Sequence, residues 1–131
     1  MTTVLRIAAA YNCAFGIATG IAPAMTLAWL GLNSPTPREQ AMWQCIAMIV
    51  GVYGVAYFFA SRAPLRHWPV ILAGLLGKIL GPIGFCVSAL NGVLPWRMGL
   101  IIVLNDIIWW APFILILLAS YRVASIEKQK P

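Results

Sequence analysis

Apolar residues run almost unbroken through four stretches of the chain, residues 4–32, 41–60, 70–90 and 96–121. Each reaches the roughly 20 residues that a helix needs to cross a bilayer core about 30 Å thick. The pattern therefore predicts an all-α fold, a single domain built as a four-transmembrane-helix bundle. Three short polar breaks separate the stretches: NSPTPREQ from Asn33, SRAPLRHWP from Ser61 and NGVLP from Asn91. Proline, asparagine, serine and glycine punctuate all three, and connections this short favour antiparallel neighbours in up-down-up-down order. Pro23 falls in the outer third of the first stretch and is expected to kink it. The opening MTTVLRIAAAYNCAFGIATG has the outline of a secretory leader, one basic residue before an apolar run. That run continues to Leu32, well beyond the length of a leader's apolar core, so a retained helix is expected.

Composition agrees with this pattern. Apolar residues make up 62% of the 131 and charged residues only 9%, against about 25% charged in soluble domains. So few charges cannot clothe a water-facing surface. The net charge of +6 does not point to nucleic acid, because the basic residues form no patch or stripe. They sit at segment ends. The N-terminus, second loop and C-terminal tail hold Arg6, Arg62, Arg66, Arg122, Lys128 and Lys130, whereas the first and third loops hold Arg38 and Arg97. Cytoplasmic loops of membrane proteins carry the excess of Lys and Arg, so both termini are expected on the cytoplasmic side of a bacterial inner membrane. Trp29, Trp43, Trp68 and Trp96 flank the loops as an interfacial belt should.

Polar residues at depth supply the candidate chemistry. Lys78 lies roughly 13 Å into the third stretch and Asp106 roughly 15 Å into the fourth, counting 1.5 Å per residue from opposite sides. Both therefore reach the bilayer middle, where an unpaired charge costs several kcal/mol, and pairing them is the economical solution. Asn12 reaches similar depth and Asn105 precedes the acid. Asp106, Trp109, Trp110 and Phe113 follow i, i+3, i+4, i+7 spacing and are expected on one helix face. An acid beside large aromatic surfaces suits a cationic or amphipathic ligand. The candidate ligand-binding set is thus Asn12, Lys78, Asn105, Asp106, Trp109, Trp110 and Phe113. The third stretch also carries Gly74, Gly77, Gly81 and Gly84, small residues that permit close helix approach in lipid. Pro82 in that stretch cannot donate to the Lys78 carbonyl, which is left free for another partner. Glu39 is expected to be solvated in the first loop.

In the second loop, Arg62, Arg66 and His67 form a candidate site for an anionic lipid headgroup. The alternative reading is a topology signal with an interfacial anchor. Cys13, Cys45 and Cys86 are odd in number and widely spaced, so no disulfide or zinc site is indicated. With His67 as the single histidine, no metal or haem cofactor is expected.

The segments HWPVILAGLLGKILGPIGF, GVLPW and LNDIIWWAPF resemble a family of small uncharacterised four-helix bacterial inner-membrane proteins. The resemblance implies the fold and membrane but no activity. Small multidrug exporters share the size and helix number, yet their first helix carries a membrane glutamate where this chain offers Asn12. Three functions fit the residues. The first is binding or transport of a small polar or amphipathic molecule. The second is a structural or accessory role beside a membrane-protein partner. The third is acid–base catalysis on a lipid-like substrate by Lys78 or Asp106. For the first, four helices enclose so little volume that a homo-oligomer is expected.

Overall fold

A computed structural model describes residues 1–127, with the side chain of Glu127 left aside. Lys128 and Lys130, counted in the charge bias above, lie outside the described residues. The chain is all-helical, with no strand among the described residues. Its helices are α1 (Thr2–Ile21), α2 (Pro23–Trp29), α3 (Pro37–Ala60), α4 (Trp68–Leu90), α5 (Gly99–Ile102) and α6 (Ile108–Glu127). A 3₁₀ turn at Trp96–Met98 precedes α5, and a π turn at Val103–Ile107 joins α5 to α6. Four helical spans are long and apolar enough to cross a membrane: α1, α3, α4 and the run Trp96–Ile126. Only 22–28% of each span is buried inside the chain, so most of its apolar side chains face outward. An apolar outer surface of this extent fits a multi-pass membrane protein.

Local chemistry sets the element boundaries. Pro23 does more than kink the first stretch. Ala22 leaves the helical region (φ −128°, ψ 60°) and α2 restarts at Pro23. Near this break the Gly20 carbonyl accepts from Gln44 Nε2 at 2.9 Å, and Thr26 Oγ1 accepts from Trp43 Nε1 at 3.0 Å. Trp43 is therefore a buried stitch between α2 and α3, whereas Trp29, Trp68 and Trp96 are exposed as an interfacial belt requires. Helix α3 starts four residues before the expected position 41. Thr36 and Glu39 form a reciprocal capping box, Glu39 N–H to Thr36 Oγ1 at 3.3 Å and Thr36 N–H to Glu39 Oε2 at 2.6 Å. Glu39 is exposed, as expected, but it belongs to the helix. Helix α4 ends on Gly92 at φ +71°, with Gly92 N–H bonded to Ala89 O and Val93 N–H to Ser88 O. Only glycine adopts that left-handed position without strain.

The helices associate as two tight pairs, α1 with α3 and α4 with α6, while α3 and α4 touch far less. In the first pair glycines bring the backbones together. A Cβ added at Gly16 would lie 2.8 Å from Ala47 O, and one at Gly54 would lie 2.8 Å from Cys13 N. At the end of the bundle bearing the termini, one core cluster joins both pairs through Leu5, Ala8, Tyr57, Ile71, Trp109 and Phe113. A second cluster at the distal end holds Leu27, Leu30, Trp43, Phe85, Ala89 and Met98.

Candidate functional site

Between the two core clusters lies the polar layer. Lys78 and Asp106 are 5% and 8% exposed, and Lys78 Nζ stands 3.7 Å from Asp106 Oδ1. The pairing expected from matched depth is therefore present. The ammonium also donates to the main-chain oxygen of Asn105, and Asn105 Nδ2 donates to Asp106 Oδ1 at 3.0 Å. Asn105 and Asp106 both sit in the π turn. A widened turn of this kind interrupts the regular i→i−4 ladder and occurs often at functional sites. Here it lies where a carbonyl and a carboxylate meet the lysine from α4. The Lys78 carbonyl, released by Pro82, accepts from Trp110 Nε1 at 2.9 Å. That free carbonyl is filled from within the bundle.

The π turn also revises the expected aromatic face. The i, i+3, i+4, i+7 spacing assumes continuous 3.6-residue turns, and a wider turn shifts every later side chain round the axis. One extra residue amounts to about 100°. Trp109 consequently packs in the terminal core against Tyr11, with ring centroids 6.1 Å apart, and Phe113 packs edge-on to Tyr57 at 5.1 Å. Trp110 turns toward α4. None of Trp109, Trp110 and Phe113 lines the cavity described next, whereas Asn12, Lys78, Asn105 and Asp106 all do.

That cavity measures about 850 Å³ and runs between α3 and α4 from the polar layer to a rim at Arg38 and Glu39. It is a half-open groove, and its volume falls in the upper part of the 300–1,000 Å³ typical of small-molecule sites. Its origin is a splay. At the terminal end Tyr57 pushes its hydroxyl so close to Gly74 that no Cβ fits there, and the two helices meet. Toward the distal end the facing residues of α4 are Gly77, Gly81, Gly84 and Ser88, too small to fill the gap. A Cβ added at Gly77 or Gly84 would meet nothing within 4 Å. Gly77 and Gly84 thus border open space, while a Cβ on Gly81 would stand 3.5 Å from Asp106 Oδ2. The cavity's aromatic surface comes from Phe15, Trp43, Tyr53, Tyr57 and Phe85. Among these, Tyr53 and Tyr57 carry hydroxyls at depth, a signal the sequence offers. The small residues every three or four positions along α4 were a further signal for its wall.

Hydrogen bonding at the base of the cavity is incomplete. Asn12 is 2% exposed, yet its Oδ1 has no partner among the described residues, and the same holds for Asn105 Oδ1. Trp109 Nε1 is likewise unpaired in the adjoining core. Buried polar atoms in native structures nearly always find partners, so these two sealed acceptors stand out beside the base of the cavity.

The candidate headgroup residues Arg62, Arg66 and His67 are exposed in the turn between α3 and α4. Arg62 lays its guanidinium over the rings of Phe58 and Phe59, at 5.5 and 5.0 Å. Phe58 also borders a shallow outward groove between α1 and α3, lined by Arg6, Ala9, Ala10, Cys13 and Val55.

No protein-family model, curated protein or solved structure matches the chain, so the geometry alone carries the functional reading.

Proposed function

We propose that this chain is a multi-pass protein of the bacterial inner membrane, with both termini cytoplasmic, that binds or transports a small polar or amphipathic molecule. The molecule occupies the α3–α4 cavity, its polar part at Asn12, Lys78, Asn105 and Asp106. The observation that carries this reading is the cavity of about 850 Å³ with a charged pair and an unpartnered asparagine at its base. A convergent set of polar groups at the end of an apolar pocket is the usual form of a ligand site. Six-to-two partition of the loop and tail basic residues supports the orientation. Arg62, Arg66 and His67 serve at the cytoplasmic face as contacts for anionic lipid headgroups, with Arg6 nearby.

Native mass spectrometry of the protein extracted from its expression membrane tests this. The wild-type chain carries bound non-protein mass. The Asp106→Asn and Gly84→Leu variants lose it, and Gly84→Leu melts close to wild type because the added side chain enters open space. Absence of bound mass on wild type, or its retention in both variants, rejects the reading.

A structural role for the same pair is the competing reading, with a membrane-protein partner or second copy on the outer faces. It is favoured by the linkage of Lys78 to both Asn105 and Asp106 and of Trp110 back to Lys78, which together tie α4 to α6.

A further inference from the structure

The outward groove between α1 and α3 is separate from the α3–α4 cavity and has a different charge. It measures about 360 Å³ and is lined by Arg6, Ala9, Ala10 and Cys13 of α1 and by Val55 and Phe58 of α3. Its floor is closed. A Cβ on Gly54 would lie 2.7 Å from Cys13 Sγ and 2.9 Å from Ala9 O, so the two helices touch beneath it. Small side chains on α1 leave a trough, and Val55 and Phe58, both exposed, stand as its opposite wall. From Arg6 to Cys13 the trough runs about 10 Å along α1, at 1.5 Å per residue.

The end of the trough nearer the termini is basic. Arg6 lines it, and Arg62 lays its guanidinium 5.5 Å from the centroid of Phe58, the ring that forms the wall. Phe59 holds the same guanidinium at 5.0 Å. Among the described residues neither arginine has an ion-pair partner: Asp106 is paired with Lys78, and Glu39 caps Thr36 at the far end of α3. A guanidinium resting on aromatic faces keeps its in-plane N–H fork for a phosphate, which it can meet bidentately. By contrast, the rim of the α3–α4 cavity sets Arg38 beside Glu39 and carries no net charge.

Resting on the reading of the cytoplasmic arginines as headgroup contacts, we infer that this groove binds one anionic phospholipid of the cytoplasmic leaflet. The phosphate sits at Arg6 and Arg62, and the upper part of one acyl chain lies along Ala9, Ala10 and Cys13. Cations above an apolar trough repeat the layering of such a lipid. A trough of about 10 Å is under two helical turns, too short to seat the span of a protein partner.

The test is native mass spectrometry of delipidated protein titrated with phosphatidylglycerol or phosphatidylcholine of identical chains. Phosphatidylglycerol binds one per chain, about tenfold tighter than phosphatidylcholine, whose choline cation offsets the phosphate. Arg6→Gln and Arg62→Gln each weaken phosphatidylglycerol by about fivefold, whereas Arg97→Gln at the distal end leaves it unchanged. Ala10→Phe fills the trough and weakens both lipids by about tenfold. It melts like wild type, because Ala10 is exposed. Equal binding of the two lipids to wild type overturns the inference together with the headgroup reading beneath it. A preference that survives Ala10→Phe at full affinity leaves the headgroup contacts standing and overturns the groove. So does phosphatidylglycerol binding that falls as far in Arg97→Gln as in Arg62→Gln, which is general charge attraction. Loss of phosphatidylglycerol in Gly84→Leu places the lipid in the α3–α4 cavity and likewise overturns the inference.

Discussion

Along the α1–α3 seam, a Cβ placed on Gly16 or Gly54 would run into backbone at 2.8 Å, whereas along the α3–α4 seam one placed on Gly77 or Gly84 would reach nothing within 4 Å. Both seams are rich in glycine, and α1 and α4 each carry a G-x-x-x-G. In α1–α3 the missing side chains of Gly16 and Gly54 let two backbones touch, although Gly20 meets nothing within 4 Å, and packing of this sort is van der Waals contact at short range. In α3–α4 Tyr57 props the helices at one end and the chain diverges at the other, so the same small residues leave a cavity. A glycine stripe therefore specifies what is absent from a helix face. The neighbouring helix decides whether that absence becomes contact or space.

Three sets of substitutions sharpen the contrast, beginning at the polar base of the open seam. Lys78→Met strands Asp106 in the low-dielectric interior and is expected to cost about 3–5 kcal/mol, the usual penalty for breaking a buried pair. Combining it with Asp106→Leu recovers most of that loss if the pair is chiefly a lock between α4 and α6. Thermal unfolding in detergent reads both variants. A double variant no more stable than the single one removes the lock interpretation.

Next comes the glycine contrast itself. Gly54→Ala forces a methyl against Cys13 and Ala9, and overpacking of this kind costs about 1–3 kcal/mol. Gly84→Ala adds a methyl to open space and replaces glycine by a better helix former, so it is neutral within about 0.5 kcal/mol or slightly stabilising. Equal melting shifts in the two variants would mean that the seams do not differ in packing.

The smallest effect is at the released carbonyl. Trp110→Phe keeps the aromatic bulk and removes the indole N–H from Lys78 O, a loss of about 1 kcal/mol. Replacing Pro82 by Ala in the same background restores an α-helical donor to that carbonyl and offsets the loss. If the double variant melts no higher than Trp110→Phe alone, the two donors are not interchangeable at that carbonyl.

Much of the molecule follows from order along the chain. Four apolar runs of bilayer length, broken by short proline- and glycine-rich links, determine four antiparallel helices, because a buried or lipid-covered helix must be apolar over its whole length. The partnership of Lys78 and Asp106 follows as well, since one cation and one acid at matched depth leave a single economical arrangement. Thr36 and Glu39 spelled out the start of α3 as a capping box, a signal that the apolar run alone did not reveal.

Tertiary structure decided the rest. The π turn at Val103–Ile107 sends Asp106 to the cavity and Trp109 and Phe113 to the terminal core. The turn packs against α4, and helical periodicity assumes it away. Trp43 looked like an interfacial anchor by position, yet it is buried once the break at Ala22 brings Thr26 within its reach. The cavity belongs to no segment. It exists because α3, held tightly to α1 by Gly16 and Gly54, and α4, held to α6 by Lys78 and Trp110, touch each other at Tyr57 and Gly74 and then part. Spacing along one helix carries no record of the distance to the next, and it is this distance that turned a row of glycines into a site.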